Sequence, residues 1–177
     1  MSTAAPRLGA PSPCAAPPAP LAPLAVRSAR SGDAVALEAL SRPFVRSGAL
    51  RRRPLSLYAS DATDFLVVEA YDGTLDGCLG VSVHPADPDE GRGPAGVLYN
   101  FCVAPRSQGR GVGVALLRAA LTEADARSLC ALFTATTGGG ELFLRHGFAP
   151  TAAELAPRAW ADSLDPARNS RVLARTL

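Results

Sequence analysis

The chain has 177 residues, of which 47% are hydrophobic and 19% charged, a balance typical of one globular domain with a substantial core. All 18 basic residues are arginine and the net charge is only +2, so we expect no nucleic-acid partner and exclude lysine-dependent chemistry. No apolar run approaches the roughly 18 residues of a membrane span, so we expect no membrane partner either.

The first 24 residues form an Ala/Pro-rich segment that holds 7 of the 16 prolines. Proline at this density interrupts both helices and strands, and it also interrupts the apolar stretch that a signal peptide requires. We therefore predict a disordered arm at 1–24 and one folded domain at 25–177.

Four cysteines stand far apart in the sequence and form no CxxC pair: Cys14, Cys78, Cys102 and Cys130. This spacing does not favour a zinc site or a disulfide framework. Three of them lie in strand-like apolar runs, where a buried free thiol is the usual state. Reduced thiols indicate a cytoplasmic protein.

Helix and strand patterns alternate through the rest of the chain. Runs of β-branched and apolar residues predict strands at 25–30, 65–70, 77–84, 96–103, 129–136 and 171–177. Helical periodicity and end signals predict helices at 34–47, just after Pro54, at 112–127 and at 141–146. This order predicts a mixed α/β sheet with helices on both faces.

A glycine-rich loop at 105–113 joins a predicted strand to a predicted helix. A Walker loop is excluded because it needs a lysine. A dinucleotide fingerprint, G-x-G-x-x-G, is also excluded, because Val114 or Leu116 stands where its last glycine belongs. The pattern Gln/Arg-x-x-Gly-x-Gly after Val-x-Pro is satisfied by Val103, Pro105, Gln108, Gly111 and Gly113.

This motif resembles the phosphate loop of the GNAT superfamily of N-acetyltransferases. Its glycines let backbone N–H groups converge on a pyrophosphate at a helix N-terminus, where Arg110 or Arg106 can pair with an outer phosphate oxygen. The resemblance implies a GNAT fold, a mixed twisted sheet of six to seven strands splayed at the cofactor cleft. It implies acetyl-CoA as acyl donor, no metal, and cofactor contacts at Phe101, Cys102, Val103, Gln108, Gly109, Arg110, Gly111, Val112 and Gly113.

Further stretches resemble the transferase domain of bacterial N-acetylglutamate synthases. They lie at 42–53 with 64–69, at 76–80, at 132–148 and at 167–173, and the last, with its Arg-Asn-Ser sequence, is the most specific. The resemblance implies that Arg53, Arg168 and Ser170 bind the acceptor, a small acidic amino acid and most simply L-glutamate. Guanidinium groups suit this role because they hold carboxylates through two parallel hydrogen bonds.

The sequence departs from these families at three points. The synthases commonly carry an amino-acid-kinase-like domain ahead of the transferase, whereas only the Pro-rich arm precedes it here, so we expect a stand-alone short form. Strand 96–103 lacks the glutamate that often serves as base, which leaves Tyr99 and His84 as candidates. Phe143 stands where many GNAT enzymes have an acid tyrosine.

We expect a neutral amine to attack the thioester directly in a ternary complex, with water able to remove its proton. An acyl-cysteine route through Cys102 is an alternative to a core thiol beside the cofactor. Two other functions stay open: a GNAT enzyme that detoxifies an anionic amino-acid-like toxin, and a catalytically silent acyl-CoA-binding regulator. A synthase for a specialised pathway and a homodimer are compatible with the same residues.

Overall fold

A computed structural model describes residues 24–177, so the predicted arm lies outside the described residues except for Leu24. Seven strands form one sheet in the order β1-β2-β3-β4-β5-β7-β6. The strands are β1 (Val26–Ser28), β2 (Phe65–Glu69), β3 (Leu75–His84), β4 (Ala95–Val103), β5 (Ala131–Thr136), β6 (Ala149–Pro150) and β7 (Arg171–Thr176). The helices are α1 (Ala34–Arg46), α2 (Leu55–Ser60), α3 (Val112–Ala126), α4 (Glu141–Arg145) and α5 (Arg158–Ala161).

The predicted strands and helices are confirmed, with ends that differ by a few residues. Two short elements, α5 and β6, are not predicted by the sequence pattern, because four residues and two residues are too few to show a period. The mixed sheet of the predicted fold class is confirmed as well, since β4 and β5 run parallel and the other pairs antiparallel.

Helices cover both faces of the sheet, as predicted. On one face α3 buries Leu116, Leu117 and Ala120 against apolar residues of β2 to β5, and Phe143 of α4 joins this cluster. On the other face α1 and Tyr58 of α2 pack on β2, β3 and β4. A third cluster joins the same face to the C-terminal segment around α5.

The sheet splays between β4 and β5. Their parallel pairing joins 95–98 to 131–134, and β4 continues to Val103 beyond the last paired residue, Leu98. The backbone edge of residues 99–103 therefore faces an opening rather than a neighbouring strand. The predicted splayed cleft is confirmed.

A β-bulge interrupts β4 at the same place. Cys78 pairs with Cys102 and Gly80 pairs with Tyr99, so β4 contains one residue more than β3 between these pairs. Asn100 has φ 49, the left-handed conformation that a residue without glycine's freedom rarely adopts. The bulge is not predicted by the sequence pattern, because a one-residue insertion does not change the apolar character of the strand.

Candidate active site

The glycine loop has the backbone conformation that its composition predicts. Gly109 and Gly111 have φ 74 and 84, and Gly111 is the N-cap of α3. Gly113 is needed for a different reason, because a Cβ there would stand 3.2 Å from Leu142 Cδ2 and 3.3 Å from the Phe101 ring. The loop therefore combines two left-handed glycines with one tightly packed glycine at the first turn of a 15-residue helix.

The loop offers mainly backbone groups to a ligand. Val112 is 2% exposed and packs its side chain toward Gly77, while the Gln108 side-chain amide donates to Val103 O at 3.2 Å. Arg110 is exposed. Free backbone N–H groups at the positive end of α3 make an anion site, to which Arg110 can add a guanidinium.

Arg106, the second arginine considered for a phosphate, already makes contacts within the protein. Its guanidinium donates to Asp76 Oδ1 at 3.1 Å and to Thr74 Oγ1 at 2.6 Å. Ser107 Oγ donates to the same Asp76 oxygen at 2.5 Å. Arg106 therefore connects the start of the loop to Thr74 and Asp76, where β3 begins.

The side chains of the three predicted cofactor residues of β4, Phe101, Cys102 and Val103, pack against the protein core. Phe101 packs edge-on against Phe143 with ring centroids 5.6 Å apart, and Cys102 is 4% exposed with its Sγ 3.5 Å from Cys78 Sγ. The backbone of 101–103 is what meets the opening. Cys102 is accordingly placed as a core thiol rather than as a nucleophile facing the cleft.

The other thiols differ in their surroundings. The Cys102 sulfur and burial raise the pKa of the Cys78 thiol, which stays neutral. Cys130 is exposed, so the prediction of a third buried thiol is wrong. It lies at the start of β5, where its side chain projects beyond the sheet toward Gly93.

A cavity of about 400 Å³ lies on the α1–α2 face of the sheet. It brings together Arg53, Tyr99 and the pair Arg168 and Ser170, which come from three distant parts of the sequence. The floor is formed by β3 and β4, one wall by the segment after α1, and the other by the segment around α5. Every residue that the sequence assigns to the acceptor thus lines one cavity beside the bulge.

The arginines have distinct surroundings. The Arg53 guanidinium lies over the Tyr99 ring, 4.5 Å from its centroid, in a cation–π contact. Arg168 Nη2 donates to Gly48 O at 2.9 Å and to Ala49 O at 3.0 Å. Arg168 thereby ties the C-terminal segment to the segment after α1, across the mouth of the cavity.

Tyr99 has its ring stacked over β3. A Cβ at Gly80 would lie 2.5 Å from Tyr99 Cζ, so the ring lies directly over that strand. Burial and the nearby Asp64 carboxylate raise the pKa of the Tyr99 phenol, which keeps its proton at neutral pH. Tyr99 can donate a hydrogen bond there, but it is not poised to accept a proton.

His84 ends β3 and lines the same cavity. Burial lowers the pKa of its imidazole, so the ring is neutral at pH 7 and able to accept a proton.

Two cavity residues, Asp61 and Asp64, are not among the predicted site residues. Burial and the charge of Asp61 raise the pKa of Asp64. Within residues 24–177 no protein donor is hydrogen-bonded to the Asp64 carboxylate. An Asp-x-x-Asp sequence directly before a buried strand is the signal that could have indicated them.

Residues 34–148 match the acetyltransferase (GNAT) family, and this match covers more than half of the chain. The chain therefore belongs to that family, as the loop, the splayed sheet and the sequence resemblance together indicate. Within residues 24–177, no helix is both long and apolar enough to cross a bilayer, and no group of three or more His, Cys, Asp or Glu is placed to hold a metal.

Curated relatives are amino-acid acetyltransferases. That of Neisseria meningitidis serogroup A is 30% identical over 155 residues, which are 87% of this chain and 34% of that protein. That of Pseudomonas fluorescens is 32% identical over 152 residues, 86% of this chain and 34% of that protein. The chain thus spans about a third of the length of these relatives.

Solved structures share the fold. N-acetylglutamate synthase from Neisseria gonorrhoeae, complexed with coenzyme A and N-acetyl-glutamate, superposes with TM-score 0.76 at 30% identity over 86% of this chain and 35% of that one. Rv2747 from Mycobacterium tuberculosis, complexed with CoA and NLQ, gives TM-score 0.70 at 22% identity over 86% of this chain and 99% of that one, a likeness of fold alone.

Proposed function

We propose that this chain transfers the acetyl group of acetyl-CoA to the α-amine of a small acidic amino acid, L-glutamate in particular. The observation that carries the proposal is the convergence of Arg53, Arg168 and Ser170 on one cavity beside the open edge of β4. Two guanidinium groups and a hydroxyl suit an acceptor with two carboxylates.

The similar proteins support the same acceptor class. The curated relatives are amino-acid acetyltransferases, and the gonococcal synthase, at 30% identity, holds coenzyme A and N-acetyl-glutamate. A synthase-like acceptor site at this position agrees with the chemistry of the cavity in this chain.

In the proposed reaction the loop at 108–113 binds the pyrophosphate of acetyl-CoA, and the backbone of 101–103 binds its pantetheine arm. The amine attacks the thioester carbon, the C–N bond forms and the C–S bond breaks. Of the two protons that leave the ammonium nitrogen, one ends on the CoA sulfur and the other passes to solvent. Reaching the neutral amine costs about 1.4 kcal/mol for each pH unit below its pKa, which positioning in the ternary complex can offset.

We propose that water in the cavity carries the proton that passes to solvent. We assign this role to water rather than to Tyr99, because the raised pKa of the Tyr99 phenol keeps it protonated at neutral pH. A cytoplasmic location and a homodimer belong to the same proposal.

The test is turnover of acetyl-CoA by the purified chain with a panel of amines, followed by release of free thiol. The panel contains L-glutamate, L-glutamine, L-aspartate, L-arginine, glycine and a phosphinate analogue of glutamate. We expect L-glutamate to have the highest kcat/KM and L-glutamine to fall about 10- to 100-fold below it, because a charged hydrogen bond to the side-chain carboxylate is lost. A preference for the phosphinate would instead identify a detoxifying enzyme, and acetyl-CoA binding without any turnover would identify a regulator.

A further inference from the structure

The bulged residue of β4 is held by side chains from both helices on its face of the sheet. Asn100 is 6% exposed and has φ 49. Its Nδ2 donates to Ser41 Oγ of α1 at 2.9 Å, and its Oδ1 accepts from Tyr58 Oη of α2 at 3.3 Å. Both ends of one amide are therefore fixed to two different helices.

The hydrogen bonds around this amide form one buried network. The Ser41 hydroxyl donates its own hydrogen bond to Leu37 O at 2.8 Å, so its lone pairs can accept from Asn100 Nδ2. The Cys78 thiol donates to the backbone oxygen of Asn100 at 3.5 Å. Such a fully satisfied buried network fixes one geometry, because a shifted amide would leave buried polar atoms without partners.

The network stands at the junction of the two ligand regions. On the strand side, Asn100 precedes the 101–103 edge that faces the opening beside β5. On the helix side, Ser41 and Tyr58 lie before and after the segment at 47–54, which carries Arg53 and the carbonyls that Arg168 binds. A single side chain therefore connects the strand edge to a wall of the acceptor cavity.

We propose that Asn100 is a positioning residue that, through Ser41 and Tyr58, holds the β4 edge in register with the acceptor cavity. The inference rests on the proposed function, because the two positioned partners are the thioester and the amine. In this proposal Asn100 acts through its network, which sets the positions of the 101–103 backbone and of the segment that carries Arg53. Its loss should lower kcat more than it lowers affinity for CoA, which the separate glycine loop supplies.

The test compares Asn100→Gly with Asn100→Ala. Glycine accepts φ 49 without strain, so Asn100→Gly removes the side-chain network and leaves the backbone conformation accessible. We expect kcat to fall at least 10-fold in both variants, with the Kd for CoA changed less than about 3-fold. Asn100→Gly with unchanged kcat would overturn the inference, because the bulge would then depend on backbone conformation alone.

Milder variants and an acceptor-free measurement complete the test. Ser41→Ala and Tyr58→Phe each remove one partner, and in a double-mutant cycle their effects on kcat should be non-additive; Tyr71→Phe, at a fully exposed tyrosine, is the matched control. Calorimetry should show that the native chain binds acetyl-CoA several-fold tighter than CoA and that Asn100→Gly loses this preference. A native chain that binds neither molecule would refute the proposed function; an Asn100→Gly chain that keeps both the preference and kcat would refute only the network.

Discussion

The loop at 108–113 offers a ligand mainly backbone N–H groups from consecutive residues, whereas the acceptor cavity is assembled from residues of several distant parts of the chain. An anion site made of backbone N–H groups requires glycine at particular positions, so it can be recognised in a short stretch of sequence. A side-chain cavity depends on the whole fold, and its chemistry changes with any one residue. The donor side of such a domain is thus readable from its sequence, and the acceptor side requires the assembled structure.

The largest expected effect separates the two regions through Arg168. Arg168→Ala should raise the KM for L-glutamate about 100-fold, because a charged hydrogen bond to a carboxylate is lost and the tie to Gly48 and Ala49 is released. The Kd for CoA should stay within a factor of about three. Steady-state kinetics and calorimetry measure the two quantities.

The matched control is Arg158→Ala, an exposed arginine of α5 whose nearest carboxylate is 3.9 Å away. It should leave both constants unchanged. If Arg168→Ala weakens CoA and glutamate together, the C-terminal segment supports the fold as a whole and the two regions are not separable.

A smaller effect is expected from the donor side. Gly111→Ala places a Cβ at φ 84, which costs about 1–2 kcal/mol and shifts the N–H groups at the start of α3. We expect the Kd for CoA to rise about 10-fold. Gly73→Ala, at φ 80 in the open turn before β3, carries the same strain away from the site. Gly73→Ala should lower Tm by about as much as Gly111→Ala does, but it should leave the Kd for CoA unchanged. Equal Kd values for the two variants would show that the loop does not bind CoA.

The smallest effect concerns the partly buried carboxylate of Asp64 in the cavity. The folded-state pKa of Asp64 is raised above 3.8, so between pH 3.8 and that raised value the native state binds more protons than the unfolded state. Stability is therefore lost as pH rises through this window, and the loss persists at neutral pH. Asp64→Asn should raise Tm at pH 7 by a few degrees and have no effect below about pH 3.

Asp125→Asn, at an exposed position of α3, is the matched control for this charge removal and should leave Tm unchanged. A lower Tm for Asp64→Asn at pH 7 would mean that the carboxylate is held by a partner. In that case the ionised Asp64 carboxylate would stabilise the folded protein rather than destabilise it.

Local periodicity and glycine placement predict the strands, the main helices and the glycine loop, and the resemblance to GNAT acetyltransferases implies the splayed sheet. They do not predict the bulge at Asn100, whose partners Ser41 and Tyr58 lie 59 and 42 residues away. They also do not predict that Arg106 is bound by Asp76, since either arginine of the loop has the right charge for a phosphate. A single sequence does not indicate which polar side chains pair with one another over a long distance along the chain.

The position of β7 has a consequence for how the protein is made. This last strand lies between β5 and β6, and Leu177 N donates to Cys130 O at 3.0 Å. The strands β5 and β6 therefore lack the strand that joins them until β7 has been synthesised, and their facing edges stay unpaired until then. Removal of β7 would take an interior strand from the sheet and would separate β6 from β5.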